Sequence, residues 1–596
     1  MVMKKAIKIL AATILSALFI TAAHFSAVQI RTNADWYPDD ALTEETAVQS
    51  ALNTPPAVIA DVTSADILES LKSGDKPVQA ILTIGADGRV KGADGEDFCD
   101  LSVALDEYLQ KTILPVFRVD DSSADILLNW FKTDRRITDA SVSSSSPEAV
   151  KKIKTVYPAL RGIVEFDESA DIKKAAATAN AACAQICILP ESAASYDAVR
   201  YVQARFKTVW VRAEKNDRIS IKNCVASGCF GVIAEDVSLS CATLKEYAGG
   251  IVRTPYNVAH RGLPNKYNEN SVSGTLAAIR AGATHVELDC YLTQDNEIAF
   301  MHDANLARTS TGSGNIEDYT SAQLENFRLK QFTDEKIPLL EDIGGALEGS
   351  GVVLVLEIKS AKTDVAHILA EKLGKDNLAF LKDYLTVISF DRNQLLEMKE
   401  ALPEIPTADL GGKSSDDLQT ILTRSGQYNC GVDYNFNAID KTTNARLISR
   451  GFIPWTWTYS GEVTIISGLE SGIPAMTNND ADALTAFPEK VTVANEQSSV
   501  PAVGAPVKLV VTEYGGEEKI AEGKATEVAD LGDGRYEVLA EYDPSEYYLS
   551  SMLYTQKQTV TVEKKKSGCG SAIGGIPLAL TLLPVYLSES KRKFTK

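Results

Sequence analysis

The sequence predicts a parallel α/β protein built around a (β/α)8 TIM barrel, with a degenerate barrel-like α/β repeat before it and a small all-β domain after it. Three observations carry this. Eight short β-branched runs alternate with helical stretches over residues 254–484, the number and length of chain that such a barrel needs. Three blocks of residues 55–253 lay onto blocks of that region in the same order. Residues 506–564 carry runs of period two with turn residues between them, the pattern of antiparallel strands.

Composition bounds the rest. The chain has 596 residues, 45% hydrophobic and 23% charged, an ordinary globular mixture that excludes wholesale disorder and a polytopic membrane protein. This length asks for about three or four domains. Lys and Arg number 60 against 80 Asp and Glu, a net charge of −20, so no nucleic-acid partner is expected. An anionic substrate then needs local help from a metal or a few placed cations. The nine cysteines are odd in number and show no zinc spacing; they read as small buried hydrophobes.

In chain order, residues 1–30 place Lys4, Lys5 and Lys8 before an apolar run, Ile9–Ala23, a signal peptide or signal anchor. Residues 31–54 are polar and aperiodic and read as a linker. Within 55–253, Val142–Pro158 lays onto Val387–Pro403, Leu105–Val119 onto Leu347–Ile358, and Val209–Arg212 onto Pro454–Trp457; two diverged copies of one unit follow. In the second copy, 254–484, the strands are expected at Asn257–His260, Thr284–Leu288, Val352–Ile358, Leu385–Ile388, Ile405–Leu410, Gly431–Tyr434, Ile453–Trp457 and Pro474–Thr477. Residues 485–505 read as a second linker. Val507–Thr512, Tyr536–Ala540 and Thr559–Val562, with an Asp533-Gly534 turn, predict a β-sandwich-like domain over 506–564. Residues 565–596 run from small residues around Cys569 through apolar Ile573–Leu587 to Lys591-Arg592-Lys593, the order of a C-terminal sorting or membrane-anchor tail. The two ends together predict an exported protein, tied to a membrane or cell envelope by its termini, with its bulk outside the cytoplasm.

The chemistry gathers in the second copy. His260-Arg261-Gly262 ends its first strand, Glu287-Leu288-Asp289 lies on the second, His302-Asp303 follows, and Glu357-Ile358-Lys359 ends the third. Side chains alternate along a strand, so Glu287 and Asp289 share a face, as do Glu357 and Lys359. The carboxyl ends of barrel strands form the catalytic mouth. Three carboxylates converging there resist ionisation without a cation, and all-oxygen ligation suits one divalent ion, Ca²⁺ or Mg²⁺. Two histidines can flank a substrate as base and acid, and Arg261 and Lys359 suit a phosphate. His285 and His367 have no partners in this pattern and read as structural.

These motifs resemble the glycerophosphodiester phosphodiesterase family. The match runs through AHRG, the NENS segment Asn268–Ser271, ELDCYLTQDNEIAFMHD, Leu306–Thr309, Ile337–Asp342, EIK, Ser389-Phe390 and Trp457-Thr458. The resemblance implies a barrel hydrolysing a small glycerophosphodiester to an alcohol and glycerol 3-phosphate. It implies that Glu287, Asp289 and Glu357 hold the metal and that His260 and His302 are base and acid, His260 being the first choice for base with the reverse left open. It gives Arg261 and Lys359 to the phosphate, matches Glu269 to the family's acidic residue after HRG, and puts Trp457 at the mouth, so that all four count as substrate-binding. Three departures stand out: the residues flanking Glu269, Tyr459-Ser460 after Thr458, and Thr477-Asn478 at the last strand. None removes a ligand or a histidine.

The first copy has Val58–Val62, residues 80–95 and Phe117-Arg118-Val119 where the catalytic motifs should be, and 55–253 contains no histidine. It reads as scaffold, partner surface or substrate guide. Two other functions stay open at this stage: a lysophospholipid- or phosphoinositide-type lipid phosphodiesterase, and a non-enzymatic cell-surface binding protein.

Overall fold

The structure is a computed structural model that describes residues 42–133, 139–412, 417–547 and 549–562. The expected targeting segment at 1–30 and the tail at 565–596 lie outside the described residues.

Two parallel eight-stranded barrels follow one another. The first is formed by Ala57–Asp61, Gln79–Ile84, Leu114–Arg118, Ser141–Ser144, Arg161–Glu165, Ile186–Pro190, Thr208–Arg212 and Gly231–Ala234. It closes because the first strand pairs with both the second and the eighth. The second comprises Tyr256–His260, His285–Leu292, Val353–Ile358, Leu385–Ser389, Thr407–Gly411, Gly431–Asn435, Pro454–Tyr459 and Ala475–Asn478, and closes the same way. Each of the eight expected strands is present. The three matched sequence blocks fall on the third, fourth and seventh strands of both barrels. Both also turn back after the second strand into an antiparallel partner, Arg89–Lys91 in one and Ile298–Phe300 in the other.

Local signals set the helices between. Ser146 accepts from the Ala149 N–H ahead of Pro147, and Ser271 accepts from the Gly274 N–H; each satisfies a donor that a helix start leaves orphaned.

The barrels meet at the ends where their strands begin. Thr208 Oγ1 donates to Gly451 O at 2.6 Å, and Gln185 Nε2 to Asn429 Oδ1 at 2.9 Å. His285 Nε2 lies 2.9 Å from Ala204 O, and the Phe206 ring lies 3.9 Å from the Trp455 ring. Phe206 and Phe230 thereby join Val258, Val355, Leu410 and Trp455 in one apolar cluster that runs from the foot of the first barrel into the interior of the second. Joined foot to foot, the two mouths open at opposite poles.

The described parts of the segments expected as linkers, 42–54 and 485–505, are built in. From the 31–54 segment, Glu45 reaches Arg450 at 2.7 Å, and Leu52 is buried and bridges to Gly250. The polarity that made this stretch look loose is spent on ion pairs. In the 485–505 segment, Pro488–Val493 is a strand paired with Pro506–Glu513, and Glu496–Gln497 pairs with Gln558–Val562. Its period-two pattern is short and flanked by turn residues, which hid it. The three strands expected beyond it join these and Glu518–Gly532 in a seven-stranded sheet. The Asp533-Gly534 turn links Glu518–Gly532 to Arg535–Tyr542 with both central residues at positive φ, as a two-residue hairpin requires.

Candidate active site

Strands one to three of the second barrel deliver the expected residues to one mouth. Glu287, Asp289 and Glu357 offer oxygens within 4.8 Å of one another, and all three are buried or nearly so. Glu287 Oε1 and Asp289 Oδ1 are buried with no hydrogen-bond partner. Burial, then Asp289 and Glu357 beside it, pushes Glu287 well above the ordinary carboxylate range; burial and Asp289 push Glu357 up to about 8. Burial opposes ionisation of Asp289 too, but Lys359 and Arg261 outweigh it and hold that carboxyl low. Three hard oxygen donors that cannot all ionise unaided, two with orphaned oxygens, fit one divalent cation.

The HRG motif is shaped for this. Arg261 takes a left-handed conformation (φ 52°), and its N–H donates to Glu287 Oε2 at 3.0 Å. Gly262 follows at φ 86°, where a Cβ would come within 2.9 Å of the Gly274 backbone; only glycine fits. Arg261 Nε lies 3.5 Å from Asp289, and Lys359 Nζ lies 3.2 Å from Glu357 and 3.5 Å from Asp289. Both cations thus stand at the edge of the acidic group.

Each histidine has one ring nitrogen tied down. His260 Nδ1 lies 2.7 Å from Asn479 Oδ1, so Nδ1–H donates and Nε2 is left to accept. Burial, then Arg261, lowers its pKa to about 4, which keeps the ring neutral at ordinary pH. His302 Nδ1 lies 2.7 Å from Asp303 Oδ1, and Arg308 holds the other oxygen of Asp303. Both histidines line a cavity of about 200 Å³ together with Arg261, Glu287, Glu357 and Lys359.

Trp457 lines the same cavity, with Nε1 donating to Asp433 O at 2.9 Å and Phe390 edge-on to its ring at 5.8 Å. Glu269 is placed differently. It is buried against Arg308 and lies 3.5 Å from Arg261, beside the residues that line the cavity. His285 sits at the barrel foot, hydrogen-bonded on both nitrogens, away from the mouth.

Sequence reasoning missed four contributors. Asn270 exchanges two hydrogen bonds of 2.8 Å with Asp289, one to its carboxylate and one from its N–H. Asn479 and Asp303 orient the histidines. Asp433, on strand six, lines the cavity with its carboxyl raised to about 8 by burial and then Glu357. Asn270 and Asp303 stood inside quoted motifs and were readable as partners; Asn479 and Asp433 carry no local signal.

Residues 260–482 match the model of the glycerophosphoryl diester phosphodiesterase family. That stretch carries a domain of this family. A glycerophosphodiester phosphodiesterase of Bacillus altitudinis is 31% identical over 157 residues, 25% of this chain and 64% of that protein. One from Bacillus subtilis is 23% identical over 245 residues, 38% of this chain and 83% of that protein. Human glycerophosphodiester phosphodiesterase 1 is 31% identical over 160 residues, but this chain covers only 47% of it. Among solved structures, an Oleispira antarctica phosphodiesterase in complex with sn-glycerol-3-phosphate aligns with 38% of this chain and 94% of its own, at 22% identity and a TM-score of 0.35. For several relatives the chain spans less than two thirds of their length.

Proposed function

We propose that the second barrel is a metal-dependent glycerophosphodiester phosphodiesterase that releases an alcohol and glycerol 3-phosphate. The observation that carries this is the pairing, in one cavity, of two histidines whose Nδ1 atoms are tied down with a buried group of three carboxylates flanked by Arg261 and Lys359. Glu287, Asp289 and Glu357 would hold one Ca²⁺ or Mg²⁺, which when bound neutralises charge on the phosphate. Arg261 and Lys359 bind non-bridging phosphate oxygens and stabilise the charge that builds in the transition state. His260, neutral and open at Nε2, takes the proton of the attacking hydroxyl, either of water or of the neighbouring glycerol carbon; in the second case a water then opens the cyclic phosphate to give glycerol 3-phosphate. His302, steadied by Asp303, gives a proton to the departing alcohol oxygen.

The test is hydrolysis of a panel of glycerophosphodiesters by wild type and His302→Ala, with Ca²⁺, Mg²⁺ or chelator. Equal rates in the two proteins would sink the assignment. Turnover of lysophospholipid but not glycerophosphocholine would replace it with the lipid-directed reading. Ligand binding without any turnover would replace it with a surface binding protein.

We also propose export, with both termini at the membrane or cell envelope. The lysines before Ile9–Ala23 and the apolar-then-basic C-terminal order support it. Protease added to intact cells should degrade the chain; protection until lysis would refute the proposal.

A further inference from the structure

The cavity has two unlike walls. Strands one to three give it the carboxylates, the cations and the histidines. Strands four to seven give it Ile388, Phe390, Leu410 and Trp457, a largely apolar wall interrupted by Thr458 and by one acidic residue, Asp433. The register puts Asp433 beside Leu410 and Trp455 on the neighbouring strands. It is 1% exposed, and its Oδ1 accepts no hydrogen bond. Trp457, which lines the same cavity, gives its N–H to the Asp433 backbone oxygen and not to the side chain. Asp433 also stands outside the group of three acids that could share a metal.

A buried carboxyl oxygen left without a hydrogen-bond partner is costly unless something supplies one. Water could do so, but an apolar wall offers a water few other partners. The occupant argued above brings its own donors: glycerol 3-phosphate carries two hydroxyls, one on the carbon next to the phosphate ester carbon and one on the terminal carbon beyond it. With the phosphate held on Arg261 and Lys359, these hydroxyls reach toward the opposite wall.

We propose that Asp433 is a specificity-determining residue that accepts hydrogen bonds from the hydroxyls of the glycerol moiety. This directs the polyol arm into the barrel and leaves the other alcohol to depart past the Phe390 rim. The proposal rests on the phosphodiesterase reading of the same cavity and adds which end of the substrate lies inward. A site built to hydrogen-bond a hydroxyl discriminates strongly against analogues that lack it.

The experiment compares wild type with Asp433→Asn and Asp433→Leu in the full chain with metal. Each is assayed on glycerophosphocholine and on bis(p-nitrophenyl) phosphate, a diester without hydroxyls. Binding of glycerol 3-phosphate and of inorganic phosphate is measured by calorimetry, and thermal unfolding is recorded to confirm folding. The expected result is a fall in kcat/KM for glycerophosphocholine of about 10–100-fold, mostly in KM and larger for Leu than for Asn. Turnover of bis(p-nitrophenyl) phosphate and binding of inorganic phosphate stay as in wild type, while glycerol 3-phosphate binding weakens by a similar factor. Equal losses on both diesters, or no loss on either, would overturn the proposal. A wild type that hydrolyses neither diester would sink the phosphodiesterase reading instead. The calorimetric comparison then decides Asp433 alone: equal or absent glycerol 3-phosphate binding in wild type and variants refutes its role.

Discussion

A neutral imidazole is a competent base only if its lone pair faces the substrate. At His260 that is arranged by Asn479, whose carbonyl oxygen can only accept and so fixes the proton on Nδ1. Asn479→Leu should therefore lower kcat more than it raises KM, with the unfolding temperature little changed; a pure KM effect would argue against a tautomer role. His302→Ala should cost about 10²–10⁴-fold in kcat, measured on the same substrate. The acidic group makes a separate prediction. With Glu287 and Glu357 resisting ionisation, added Ca²⁺ or Mg²⁺ relieves their repulsion, so the preferred ion should raise the unfolding temperature. Saturation at 100 times Kd corresponds to about 2.7 kcal/mol. No shift with either ion, followed by calorimetry, would remove the metal from the site.

At the scale of elements, the mouth of the first barrel is occupied by its own side chains. The last residues of its odd-numbered strands, Asp61, Arg118, Glu165 and Arg212, form a closed ring of ion pairs at 2.8–3.1 Å. Alternate strands supply such layers in barrels, and here two cations and two anions cancel. Burial opposes the charge on Glu165, but Arg118 and Arg212 outweigh it and bring its pKa down to about 2. Its folded pKa lies below the unfolded value of about 4.3, so its contribution is full above that value and is lost as pH falls toward about 2. Acid unfolding followed by circular dichroism should show this loss. Arg118→Met should destabilise the chain by about 3–5 kcal/mol, because two carboxylates then share one arginine, and leave phosphodiesterase turnover intact. The eight strands of the second barrel were legible because each is a buried β-branched run with its motif at the carboxyl end. Glu518–Gly532 was not: half its residues are Ala, Glu, Lys or Asp, and much of it is exposed, so neither strand composition nor burial contrast marked it. Asp433 was illegible for another reason. An aspartate on a strand acquires meaning only when the opposite wall of the cavity is known.

For the whole molecule, the foot-to-foot junction is the deciding contact. Its apolar part, Phe206 on Trp455, is flanked by a buried ionic knot in which Arg450 pairs with Glu45 at 2.7 Å and Asp139 at 2.7 Å, while Arg161 holds Asp139 at 2.8 Å. Phe206→Ala should cost about 3–5 kcal/mol, and calorimetry should show the single unfolding transition of the wild type divide into two. One unchanged transition would mean that the barrels are coupled elsewhere. Nothing in the sequence announced this arrangement, because a residue buried by a second barrel has the same apolar signature as one buried by its own. The junction also limits how the protein can be handled. Cutting the chain near residue 254 to isolate the catalytic half would strip the cover from Tyr256, His285 and Trp455, all buried at the junction. The freed half would carry an adhesive base opposite an intact mouth, and would meet its own copies through that base before it met any substrate.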